Sequence, residues 1–206
     1  MNLEIKYSQT FERNRIKNTL AKMAWYSEHN YKPFLPKNLS SQSSDQEISE
    51  AVSCEYNEDE YAKISSSIRE IYNSKQTEFC STIAEVFQEK LPEKIFLYIT
   101  KYGMGGSYNP PDTVIYNLHN KNGEQTIFHE MIHLMVEPYT QKLGLSQFEK
   151  ERTVDLILHS EKFSFLGYTL WQKDYHGTEQ YIDELFHRYF FLSPENYFHS
   201  IKEKHG

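Results

Sequence analysis

Residues 125–137 (QTIFHEMIHLMVE) constrain this chain more than any other stretch. Ile127, Phe128, Met131, Ile132, Leu134, Met135 and Val136 leave almost no face of a helix without an apolar side chain, so the segment predicts a helix buried in the middle of a domain. Pro138 is expected to end or kink it, because proline pushes the residue before it out of the helical region.

The flanking segments say what packs around such a helix. Upstream, 95–100 (IFLYIT) and 113–118 (TVIYNL) are β-branched and aromatic, separated by the glycine- and proline-containing YGMGGSYNPP, and read as two short strands. Downstream, Ser146 and Glu149 form a capping-box pair that starts a helix running to about His159. A last amphipathic helix is expected over 178–192, with Tyr181, Ile182, Leu185, Tyr189 and Leu192 toward the core and a frayed KEKHG end. On the amino-terminal side, 11–26 predicts one helix, 36–60 a polar loop with at most a short helix inside it, and 61–90 two helices or one broken one. The order predicts a mainly helical α+β fold with a small mixed or antiparallel sheet beside the buried helix. One domain over 1–206 is expected, with a helical part over 1–90 and a core carrying the chemistry over 91–206.

The buried helix contains His129-Glu130-Met131-Ile132-His133. Residues four apart lie one turn above each other, so the two imidazoles can grip one metal ion while Glu130 points at its open side. Two histidines and a glutamate would be costly in so apolar a helix unless paired or metal-bound. A catalytic zinc needs a third protein ligand, and the capped helix offers Glu151 with Asp155 one turn later, so that one carboxylate can bind the metal and the next can anchor a ligand histidine from outside. Other third ligands remain open. Glu137 is about 12 Å along the helix axis from His129, Glu149 is better used by the cap, Asp155 could bind if its helix were turned, and His159 lies one turn beyond Asp155. The strand before the buried helix, with Val114 and Tyr116, would offer an edge to which an extended peptide could add beside the metal.

From about Tyr102 to His159 these residues resemble the gluzincin metallopeptidases, the group of thermolysin-like endopeptidases and large zinc aminopeptidases. His129 and His133 match the histidine ligands, Glu130 the general base, Glu151 the downstream glutamate ligand with 17 residues between it and His133, and Asp155 the outer aspartate. Gly103-Met104 matches the start of the aminopeptidase Gly-x-Met-Glu-Asn strand, but Gly105 and Gly106 replace the Glu and Asn. The glutamate that grips a free amino group is thus absent, which speaks against exopeptidase action. The resemblance implies a zincin-like core, zinc as cofactor and a peptide or protein as substrate. In that chemistry the bound water has a pKa of about 7 and Glu130 takes its proton. A further donor is needed for the oxyanion, for which Tyr175, His176 and Tyr181 are the candidates and Tyr168 a weaker one. The alternative is a zinc-binding zincin fold kept as an interaction or regulatory module.

Composition narrows the rest. Lys and Arg number 22 against 29 Asp and Glu, a formal charge of −7 with no basic block, which disfavours nucleic acid as a partner. No apolar run approaches the roughly 20 residues of a membrane span, and the first residues lack the apolar centre of a secretory signal, so a cytoplasmic protein without a membrane partner is expected. Cys54 and Cys80 form no metal or redox motif and are expected to be free thiols.

Overall fold

The computed structural model describes residues 1–88, 91–120, 123, 125–172, 175 and 177–205. It is an α+β fold, mainly helical, around one mixed four-stranded sheet of order β1-β2-β4-β3. β1 (Asn2–Lys6), β2 (Lys94–Thr100) and β4 (Thr113–Asn117) run parallel, and β3 (Gly106–Asn109) closes one edge antiparallel to β4. Alternation along β2 splits the molecule into layers. Ile95, Leu97 and Ile99 point into the main core, whereas Tyr98 on the opposite face stacks on Phe11 of α1 (Gln9–Ala21) at 4.4 Å.

The main core is filled by α4 (Glu58–Phe87), α5 (Gln125–Leu143) and α6 (Gln147–His159), with the turn Glu161–Leu166, α7 (Glu179–Leu185) and α8 (Pro194–His205) around them. On the other face, α3 (Asp45–Glu55) packs Ile48 and Val52 against Ile16 and Leu20 of α1 and against Tyr102, a small second cluster. A short helix, α2 (Met23–Glu28), follows α1 after a break at Lys22.

Several boundaries differ from those read in the sequence, each for a local reason. The polar stretch 36–60 contains the three-turn helix α3, started by a Ser44–Glu47 capping box, and α4 begins at Glu58 and runs unbroken. Pro138 does not end α5, which continues to Leu143 because Tyr139 stacks on Phe198 at 4.8 Å and Thr140 is buried. The expected final helix stops at Leu185 and passes into a wider turn, Phe186–Phe190, which rotates the apolar face. As a result Phe186 and Phe190 are buried, while Leu192, expected in the core, is 81% exposed. The expected frayed tail belongs to α8, which buries Tyr197, Phe198 and Ile201. The strand with Val114 and Tyr116 is not an edge. It lies between β2 and β3 with both side chains buried, and the edge beside α5 is β3.

Candidate metal centre

α5 and α6 pack against each other and bring three ligand atoms together. His129 Nε2 and His133 Nε2 are 3.0 Å apart, and Glu151 Oε2 lies 3.4 Å from the first and 3.3 Å from the second. Ligands of a tetrahedral ion held at about 2.0–2.1 Å are separated by about 3.3–3.4 Å, so this triangle fits one such ion with little movement.

Contacts behind His129 and Glu151 leave their facing atoms turned toward the centre. Tyr168 accepts from His129 Nδ1 at 2.9 Å and donates to Asp155 Oδ1 at 3.3 Å, which fixes the ring and turns the Nε2 lone pair inward. Gln147 Nε2 donates to Glu151 Oε1 at 2.5 Å, leaving Oε2 for the centre. His133 is held by stacking, its ring lying 4.8 Å from Tyr108 at 8°, and its buried Nδ1 has no hydrogen-bond partner among the described residues.

Charge points to a cation as well. Burial opposes a proton on His129, but the Glu151, Glu130 and Asp155 carboxylates outweigh it and hold the imidazole up at about 9. Burial pushes Glu151 up, yet His133 and His129 bring its carboxyl well below the ordinary range. Glu130 moves the other way, because burial outweighs the two histidines and raises its carboxyl, toward the range useful in a general base.

A cleft of 540 Å³ opens over these atoms, walled by β3, α2 and residues 168–172. Gly106 of β3 passes directly over Glu130: a Cβ there would lie 2.3 Å from Glu130 Oε1 and 2.4 Å from Thr126 Cγ2. Only glycine lets the strand come so close. On the α6 side of the cleft, Lys150 donates to the Tyr108 hydroxyl at 2.7 Å and to Glu137 Oε2 at 3.2 Å.

The residues singled out in the sequence divide clearly. His129, Glu130, His133, Glu151 and Asp155 converge, with Asp155 reaching His129 mainly through Tyr168. Glu137 is engaged by Tyr108, Lys150 and Gln141, Glu149 by Ser146 and Tyr181, and His159 stacks on Trp171 at 3.6 Å. None of the three joins the triangle. Tyr175 is buried, and its hydroxyl donates to Asp155 Oδ2 at 2.5 Å. Tyr181 is likewise committed to Glu149, and His176 lies outside the described residues. Gln147 does not stand out in the sequence, although its four-residue spacing from Glu151 is a signal that could have found it. Tyr31, Tyr108 and Lys150 also line the cleft and carry no such signal.

No family model, curated protein or solved structure matches the chain. The functional reading therefore rests on this geometry.

Proposed function

We propose that this protein is a zinc-dependent peptide hydrolase of gluzincin type with a zincin-like core. The observation that carries the proposal is the Nε2, Nε2, Oε2 triangle beside a buried Glu130 at the floor of a cleft. Two imidazoles and one carboxylate are a donor set suited to zinc, which when bound supplies Lewis acidity and a water acidified to a pKa of about 7.

The chain's own residues do the rest. β3 is the sheet edge at the cleft, and its free side can pair with an extended peptide, so that the scissile amide lies over Gly106 and Glu130. β3 thus takes the substrate-binding role expected of Val114 and Tyr116. Glu130 accepts a proton from the attacking water and then delivers it to the amide nitrogen as the C–N bond breaks, leaving a carboxylate and an amine. Tyr168 and Asp155 hold the His129 ring, and Gln147 holds Glu151. A purely regulatory module is less well supported, since the cleft gives a ligand access to the triangle.

Zinc content by mass spectrometry and hydrolysis of a pool of unstructured peptides test the proposal together. Glu130→Gln should retain about one zinc per chain and lose hydrolysis, whereas Glu151→Ala should lose zinc. Activity retained in Glu130→Gln, or zinc fully retained in Glu151→Ala, would refute the assignment.

A further inference from the structure

Hydrolysis at this centre places negative charge on the former carbonyl oxygen, which needs a donor facing the metal across the cleft. Most donors lining the cleft are already engaged. Tyr108 is tied to Glu137 and Lys150, Tyr168 to His129 and Asp155, Lys150 to Tyr108 and Glu137, and Gln147 to Glu151. Of the two remaining tyrosines in the wall, Tyr26 is buried and lies in the field of Arg15. Tyr31 lines the cleft in the field of Glu151, with the neutral side-chain amide of Gln172 in hydrogen-bonding reach of its hydroxyl.

The turn that carries Tyr31 is fixed on both sides. Asn30 adopts a left-handed conformation (φ 58°), and the Tyr31 amide closes α2 by donating to the Tyr26 carbonyl at 2.8 Å. Three residues later, Phe34 and Gly103 exchange two backbone hydrogen bonds of 2.8 Å, which clamp this segment to the chain leading into β3. Trp25, stacked on His29 at 4.2 Å and tilted against Tyr31 at 5.6 Å, backs the same wall. A phenol carried on a turn held this firmly, in the cleft that opens over the triangle, is preorganised for a charge that develops only during reaction.

We infer that Tyr31 is a catalytic residue, its hydroxyl donating to the carbonyl oxygen of the substrate as that oxygen becomes an oxyanion. The donor then comes from the amino-terminal helical part, 120 residues before Glu151 in the chain, and that part belongs to the active site. Tyr31 transfers no proton, which leaves all proton movement to Glu130. The inference rests on the hydrolase reading above.

The test is Tyr31→Phe in the full-length zinc-loaded protein, using a peptide that the wild type cleaves. Loss of one oxyanion donor should lower kcat by about 10²–10³-fold, with KM within about twofold and with zinc content and Tm unchanged. Binding of a peptide phosphonamidate, which mimics the tetrahedral oxyanion, should weaken in parallel, while binding of the cleaved products should not. Equal kcat in a variant of an active wild type would overturn the role of Tyr31 alone. So would a loss of kcat accompanied by loss of zinc or Tm, which would mark Tyr31 as structural. A wild type that binds zinc but cleaves nothing in the pool would overturn the hydrolase reading and this inference with it.

Discussion

Replacing Gly106 by alanine tests the closest approach in the site. The added Cβ would stand 2.4 Å from Thr126 Cγ2 and 2.3 Å from Glu130 Oε1, where ordinary contact begins at 3.4 Å, so about 1 Å of movement is required. Thr126 will not supply it, being β-branched and buried, with its hydroxyl held by Asn120 at 2.7 Å. β3 must therefore lift from α5, and the Glu130 carboxylate, at the end of a flexible side chain, must shift as well. Overpacking of this kind costs about 1–3 kcal/mol, and at about 2–4 °C per kcal/mol for a chain of this size the loss is visible in Tm. A 1 Å displacement of the base should cost about 10²-fold in kcat. Zinc should stay, because His129, His133 and Glu151 are not among the atoms met. Gly105→Ala is the internal control, since its Cβ would meet only the Asn120 side chain at 3.3 Å or more. Thermal unfolding, zinc content and kcat on both variants decide the matter. A Gly106→Ala protein with wild-type kcat and Tm would refute the argument that β3 must pass this close to Glu130.

Tyr168→Phe should weaken zinc binding by about 10–100-fold through loss of the hydroxyl between His129 and Asp155; competition with a chelator measures it, and unchanged affinity would rule out that support. Glu12, fully buried, has its carboxyl raised above its ordinary 4.5, because burial outweighs the hydrogen bonds from Thr100, Tyr61 and the Lys101 amide. A carboxyl with a higher pKa folded than unfolded favours the fold most below the unfolded value, and that contribution is lost as pH rises through the folded one. Urea unfolding should therefore show wild type losing stability relative to Glu12→Gln as pH rises from 4.5 toward neutrality, and a constant difference would show that Glu12 does not titrate in that window.

Legibility of the sequence followed how local each signal is. His129 and His133 lie one turn apart on one helix and stand out from spacing alone, whereas Ser146 and Glu149 mark the start of the second helix and leave Glu151 as one of several candidate third ligands until the two helices pack together. β2 and β4 declare themselves through Ile95–Thr100 and Thr113–Tyr116. β3 does not, because Gly-Ser-Tyr-Asn has little strand propensity of its own and is extended only through pairing with β4. The sheet edge beside the buried helix is consequently expected one strand too far inward. α3 is obscured in the same way, with only Ile48 and Val52 of its eleven residues buried. Tyr31 carries no sequence signal at all, since nothing local distinguishes it from the other 15 tyrosines until the Phe34–Gly103 clamp brings it over α6.

Two buried acids show how a structural carboxylate differs from a ligand. Glu12 accepts from Tyr61 and Thr100 hydroxyls and from the Lys101 amide, three neutral donors that between them cover both oxygens. Nothing further is needed there, and the group ties α1 to α4 and the end of β2. Glu151 is also buried, at 8% exposure, yet its Oε2 faces two imidazole nitrogens only 3.0 Å from each other. Two neutral imidazoles cannot both present lone pairs across that distance without repulsion, and a single shared proton satisfies one contact at the expense of the other. A divalent ion satisfies all three atoms at once, with Tyr168 and Gln147 already holding two of the three side chains from behind. The local rule that buried polar groups are satisfied holds at Glu12 and breaks at the His129, His133 and Glu151 triangle, which is where a functional site is expected to break it.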